Sequence, residues 1–347
     1  MPGLNVSQLE GLITLTLEKY GKGKVTDIAA NIQDYVVMSK LLPKYKESLD
    51  GGKSFKFNLA TAYGDNSRHT GLFAVDNVDV TDAVTQGEVP WRFTETAYAY
   101  DLREEALNDA REERIVNHII LRREEEMGGL AELMEETFWG KPASSADTKT
   151  PFGIDYWVVT NASTGFNGGN PSGFTSGAAG IDQGTYANWA NYTAQYTNVT
   201  KDDLISKMKT AKRKILFKSP MKHPSYDQSG TSDNYQIYTS ESVVKGFEDI
   251  GEAQNENLGK DVDSMFGQIT FQQSPVVYVP YLDDNDANDK VYMINWNVFD
   301  IMVLKDWYLK RDTVVSGSQH NVVKVFEDLV WNTCCKDRRK QAVFSIA

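Results

Sequence analysis

Cysteine is nearly missing from this 347-residue chain, and the two that occur, Cys334 and Cys335, are adjacent. Neighbouring cysteines are poorly placed to bridge each other, so neither a disulfide framework nor a cysteine metal cage is expected, and a reducing compartment fits best. Histidine is almost as scarce: His69, His118, His223 and His320 lack the paired spacing that sets two metal ligands on one helix face. A basic excess is missing too. With 36 Lys and Arg against 48 Asp and Glu, the net charge of -12 leaves nothing to neutralise phosphates broadly, which argues against general nucleic-acid or anionic-membrane binding. No apolar run approaches membrane-spanning length. The opening MPGLNVSQLEGLITLTLEKYGKGK has no basic leader, long apolar core or small-residue cleavage site, so a soluble protein made inside the cell is expected. The sequons at Asn5, Asn161, Asn191 and Asn198 would matter only in a secreted protein and are read as chance.

Motifs of chemistry are equally sparse. The glycine-rich run from Gly165 to Gly184 never ends in Gly-Lys-Ser or Gly-Lys-Thr, and Gly52, Lys53 and Ser54 have Glu47 where a phosphate-cradling loop needs its upstream glycine. No Gly-x-Ser-x-Gly elbow occurs. The dense run of carboxylates between Asp101 and Trp139 falls in a helix whose spacing accounts for it without acid-base catalysis. No catalytic, cofactor-binding or metal site is read, no cofactor is expected, and the chain is not read as an enzyme.

What the chain does have is material for a core, with 41% hydrophobic residues and 24% charged. Residues 4–19 and 25–41 carry helical apolar spacing (Leu9, Leu12, Ile13, Leu17; Ile28, Ile32, Val36, Met38) and are broken by Gly21 and Gly23 and ended by Pro43, which suggests an arm. The period then changes to two. Phe55, Phe57 and Leu59 alternate with Lys56 and Asn58, and Val89, Trp91 and Phe93 alternate with Pro90, Arg92 and Thr94, so residues 52–98 read as a long hairpin with an elaborated tip. A two-stranded ribbon is marginal alone, so its aromatic side needs a surface from the rest of the protein or from another copy.

The most informative stretch runs from Asp101 to Trp139, a charged amphipathic helix well above average length. Asp101 and Glu104 suit a capping box, and Leu102, Ala106, Ala110, Ile115, Ile119, Leu130, Leu133 and Met134 form a lengthwise stripe. Arg122 and Glu126 are one turn apart and suited to pairing. Gly128 and Gly129, each costing about 1 kcal/mol relative to alanine, predict a kink or a close backbone approach. Glu132, Glu135 and Glu136 oppose the helix dipole, so a basic partner is expected for them unless they form a solvated face. Beyond it, residues 160–198 read as a long ordered loop. Thr200–Phe217 and Ser240–Gly251 read as helices, and Tyr235–Tyr238, Ile269–Phe271, Val276–Tyr281, Val291–Trp296, Val322–Asp328 and Val343–Ile346 as strands, giving an α+β chain without internal repeats.

The order of these parts, with the segments WRFTETAYAYDLREEALNDAREER and NVVKVFEDLVWNTCCKDRRKQAVFSIA, resembles the major capsid proteins of tailed bacteriophages (Caudoviricetes) over nearly the whole chain. The resemblance implies a Hong Kong 97-type fold: an N-terminal arm at 1–51, an extended loop at 52–98, a peripheral domain with the spine helix at 99–154, an axial domain at 155–275 and peripheral C-terminal strands at 276–347. It implies a head subunit that self-assembles in the host cytoplasm as pentamers and hexamers into an icosahedral virion shell. Its partners would then be other copies of itself, separate scaffold and portal proteins with room for a decoration protein, and packaged double-stranded DNA bound without sequence specificity, with no membrane. Contact between such copies is assigned to Phe55, Phe57, Trp91, Phe93, Glu132, Glu135 and Glu136, although packing of the aromatics on their own helix fits almost as well. The lysine-to-asparagine crosslinks of some relatives are not carried over to Lys53 or Lys56. A different class stays open: a secreted or surface carbohydrate-binding protein that stacks sugars on Trp189, Tyr192 and Tyr196, near 186–196.

Overall fold

The computed structural model describes residues 30, 32–63, 66–73, 75, 82–103, 112–217, 220, 234–255, 269–286, 288–315 and 320–347. The expected helix at 4–19, most of that at 25–41, and Glu104, Ala106 and Ala110 of the expected cap and stripe lie outside these residues. The chain divides into two units. The first comprises residues 1–33, 94–133 and 306–329, the second residues 34–93, 134–305 and 330–347.

In chain order, a π-helical turn at Val37–Leu41 leads through α1 (Leu42–Tyr45) into strands β1 (Lys46–Leu49), β2 (Ser54–Ala60), β3 (Val84–Pro90) and β4 (Arg92–Asp101). The long helix α2 (Glu112–Trp139), α3 (Ile154–Trp157), β5 (Gly165–Gly168), β6 (Asn191–Tyr196), α4 (Leu204–Ile215), β7 (Tyr235–Thr239) and α5 (Glu241–Asn255) follow. The chain ends with β8 (Thr270–Phe271), β9 (Ser274–Tyr278), α6 (Pro280–Asn285), β10 (Val291–Asn295), β11 (Phe299–Leu304), β12 (Lys310–Val315), β13 (Val322–Cys335) and β14 (Ala342–Ile346).

In the first unit β12 pairs antiparallel with the first half of β13, from Lys310 opposite Asp328 to Val315 opposite Val323. The inward Glu327 is buried and accepts from Arg123 Nε at 2.8 Å and from Arg311 Nε at 3.3 Å, and Arg311 Nη2 also donates to the Tyr98 hydroxyl at 2.9 Å. The predicted turn-to-turn pair on α2 has other partners: Arg122 donates to the Ala99 carbonyl and Glu126 accepts from the Thr96 hydroxyl. Asp101 accepts the Arg103 amide at 2.9 Å, as a residue opening a helix does. The helix α2 runs unbroken through Gly128 and Gly129, and a Cβ at either would meet nothing within 4 Å, so among the described residues the expected close backbone approach is not made.

The second unit is built on a seven-stranded sheet in the order β5-β6-β14-β10-β7-β9-β8. The last strand of the chain sits inside it, parallel to β6 and antiparallel to β10. Strands β10 and β14, both within 276–347, and β9, which runs into that range, belong to the same sheet as β6 and β7. Likewise β6 occupies part of the expected loop at 160–198. The apolar stripe of α4 (Leu204, Ile205, Met208, Ala211, Ile215) and Val243 and Phe247 of α5 cover one face, over Tyr196, Ile237, Met293 and Phe344. The other face carries Trp139, Tyr238, Tyr292, Trp296 and Phe299, in edge-on and tilted ring contacts 5.4 to 6.2 Å apart. With both faces covered, β10 is buried at every position and shows none of the alternation that marks a half-exposed strand. Cys334 and Cys335, at the end of β13, are buried free thiols, as expected of strand packing.

Between β13 and β14 a 3-10 turn at Arg338–Lys340 carries Arg338 wholly into the interior. Its Nε donates to the Trp157 carbonyl at 2.8 Å, Nη1 to that of Trp189 at 3.0 Å, and Nη2 to those of Gly169 and Gly168 at 2.8 and 3.2 Å. Nη2 also reaches Asn191 Oδ1 at 3.3 Å, and among the described residues no carboxylate pairs with the guanidinium. Burial pulls its pKa down to about 10, so it stays charged at neutral pH. Replacing a buried, fully bonded charge strands its acceptors, which costs about 3–5 kcal/mol. Arg338→Met is therefore expected to lower stability to urea by about that amount, whereas Arg213→Met on the exposed side of α4 stays within about 0.5 kcal/mol of the parent.

Candidate assembly surface

Strands β2 and β3 form an antiparallel ribbon from Ser54 opposite Pro90 to Ala60 opposite Val84. Pairing stops at Pro90, which has no amide to donate, and β4 pairs instead with β13, so the ribbon is shorter than the predicted 52–98 hairpin. Its apolar face is satisfied within its own unit. Trp91 packs with Met302, Val330 and Cys334, flanked by Leu49, Phe55, Phe57 and Leu304. The Phe55 ring meets Trp91 edge-on at 5.4 Å, and Phe57 lies 6.1 Å from Trp189. The Phe57 ring lies over Gly87, and a Cβ there would come to 2.5 Å from it, so the ring would have to move for any larger residue. Two polar contacts fasten the ribbon further, Glu88 N to the Ala179 carbonyl at 3.1 Å and Thr85 Oγ1 to the Tyr186 hydroxyl at 3.1 Å.

Of the four aromatic contact candidates, Trp91 is buried and Phe55 and Phe57 are half-buried within the chain, packed against β11 and β13 as well as each other. Phe93 differs: it points outward and is 75% exposed. Beyond the paired strands, Leu72, Phe73 and Val75 project almost wholly into solvent, with Tyr63 and Val84 also exposed. Phe73 has φ 65°, a region that disfavours a bulky side chain. Sequence reading passed over these tip residues, although the short apolar run from Leu72 to Val75 between Arg68 and Asp76 was visible in it.

The three acids at the end of α2 divide. Glu132 and Glu136 are exposed, but Glu135 is fully buried, and its partners are the Val37 amide and the Trp139 indole, both at 2.8 Å, in place of the basic group expected. The sugar-stacking alternative loses its platform, because Trp189, Tyr192 and Tyr196 are all buried. Trp189 Nε1 donates to the Ala178 carbonyl and the Tyr196 hydroxyl to that of Asp289, as core aromatics with polar tips do. Among the described residues no three His, Cys, Asp or Glu side chains converge as a metal site, and no helix is long and apolar enough to cross a membrane.

No family model matches the chain, and no curated protein matches it in sequence. Solved structures do. A chain of the cyanophage A-1(L) capsid asymmetric unit superposes with a TM-score of 0.63 at 15% identity, covering 92% of this chain and 95% of that one. The capsid of a native GTA particle gives 0.57 at 10% identity, over 94% and 96%. The holo-SrpI encapsulin complex of Synechococcus elongatus PCC 7942 gives 0.52 at 10%, over 99% and 96%. The chain thus has the fold of phage capsid proteins from end to end, a fold it shares with an encapsulin.

The burial difference sets a direct comparison. Trp91→Ala is expected to cost about 3 kcal/mol in unfolding experiments, as for a large buried aromatic, while Phe93→Ala leaves stability within about 0.5 kcal/mol.

Proposed function

We propose that this chain is the major capsid protein of a tailed double-stranded DNA bacteriophage, and that copies of it close as pentamers and hexamers into an icosahedral shell, assembled in the host cytoplasm, around the genome. The observation that carries the reading is the agreement in fold along the full length of shell-forming chains, together with large apolar side chains at Leu72, Phe73, Val75 and Phe93 that the chain leaves in solvent. Exposed apolar groups on a projecting element mark a protein interaction surface. Subunits that close into rings contact one another through unlike surfaces, which calls for parts that reach beyond the body. The extended loop within 52–98 and its tip serve that purpose here, with Phe93 and the exposed Glu132 and Glu136 as further contacts between copies. The net charge of -12 suits a lining over which packaged DNA moves without tight phosphate contacts. Scaffold and portal are separate proteins in this reading, and the chain performs no catalysis.

The similarity to an encapsulin favours a second reading, a shell that encloses protein. Purified protein examined by sedimentation and negative-stain microscopy tests the first: closed particles or free pentamers and hexamers are expected, and a stable monomer at all concentrations would refute it. Nucleic acid inside particles isolated from the native source separates the two readings. The double variant Leu72→Ser, Phe73→Ser is expected to stay folded and to lose particle formation at least tenfold.

A further inference from the structure

The π-helical turn Val37–Leu41 begins without a cap of its own, since no side chain at its N-terminal flank accepts a hydrogen bond. The first amides of any helical turn lack partners within it. Here the acceptor comes from 98 positions later: Glu135 Oε2 takes the Val37 N–H at 2.8 Å, while Oε1 takes the Trp139 indole N–H at 2.8 Å. Both donors are permanent, and a carboxyl group can meet them in either protonation state, since the neutral acid still accepts on its carbonyl oxygen and on its hydroxyl oxygen. A glutamine would turn its own N–H₂ group against one of them.

Nearly everything else around Glu135 opposes its charge. The group has no accessible surface, and among the described residues no Lys or Arg pairs with it. It lies in the last turn of α2, where the helix dipole disfavours an anion. Of the titratable groups facing it, Asp34 on the incoming segment is acidic and is itself paired with Lys40 at 2.5 Å, and Tyr281 on α6 lies near both Glu135 and its neighbour Glu136. Val36, Val37, Leu41 and Leu42 are buried along the same segment, so the carboxylate sits under an apolar clasp.

We propose that Glu135 is a proton-linked latch: the docking of segment Asp34–Leu42 onto the end of α2 is coupled to the protonation of this one buried carboxylate. Burial raises its pKa from 4.5 to about 7, against the opposing pull of the Val37, Trp139 and Val36 N–H groups. The sign follows. A carboxyl whose docked pKa lies above its free value favours docking when protonated, so the clasp is tightest below pH 4.5, loosens as pH rises from 4.5 to 7, and stays at its looser level above that. In that window the docked-to-open ratio falls on the order of tenfold per pH unit. The latch is a property of the single chain and does not depend on the shell reading.

Hydrogen exchange of the full-length protein, followed by mass spectrometry and corrected for intrinsic rates, reads the latch at the peptide that contains the Val37 amide. Protection there is expected to fall more than tenfold between pH 5 and pH 7 and less than threefold between pH 7.5 and pH 8.5. Glu135→Gln is expected to be flat across the range. Trp139→Phe keeps the bulk and removes one donor to the carboxylate, so its fall is expected to extend to higher pH. A parent protein with unchanged protection from pH 5 to pH 8.5, or a Glu135→Gln variant with the parent's slope, would overturn the latch. If the glutamine variant does not fold, a Trp139→Phe profile that matches the parent's overturns it equally.

Discussion

One buried guanidinium, bonded to four backbone carbonyls and the Asn191 side chain, fixes the arrangement on which the second unit depends. Arg338 ties together the carbonyls of α3, of the glycine pair after β5, and of Trp189 just before β6. They are backbone acceptors at the end of a helix, at the end of a strand and in the loop before β6, where regular pairing stops. A buried carbonyl without a donor costs as much as a lost hydrogen bond, so that side chain contributes to holding the glycine-rich region between α3 and β6. Its position in the turn between β13 and β14 also sets where β14 enters the sheet, and β14 in turn separates β6 from β10. The end of the chain thus completes the core.

A body completed in this way can carry a ribbon without relying on it. The base of the ribbon rests on β11 and β13 through Trp91, Phe55 and Phe57, and its tip carries the exposed apolar side chains of Leu72, Phe73 and Val75. That division matches a subunit whose own stability is settled before it meets others, and whose contacts with others are held in an extension. Burying a few large apolar side chains yields roughly 1.5–3 kcal/mol apiece, enough to bias association without committing a lone subunit to it.

Much of the architecture was legible in the residues. Alternation at Phe55 and Phe57 located the ribbon, the stripe and the closing Trp139 located α2, and the basic last turn of α4 marked that helix's end. Other features left no local trace. Strand β6 is buried on both sides within an Asn- and Gly-rich stretch, so it offers no period to read. The surface beneath the ribbon comes from Met302, Val330 and Cys334, far along the chain, and spacing near Phe55 carries no information about them. Glu135 was counted as one surface acid among three, because helical spacing gives a residue's direction but not what is packed against it. Arg338 stands in a run of three basic residues at 338–340, and spacing alone does not tell that Arg338 and Lys340 are buried while Arg339 is not.

The account rests on a contrast between a body that satisfies itself and a tip that does not. Residue-level hydrogen exchange of the isolated subunit and of assembled particles measures that contrast directly. The account predicts strong protection of β10 and β14 in both states, with residues 66–75 unprotected in the subunit and protected in particles. Equal protection of 66–75 in the two states would contradict it.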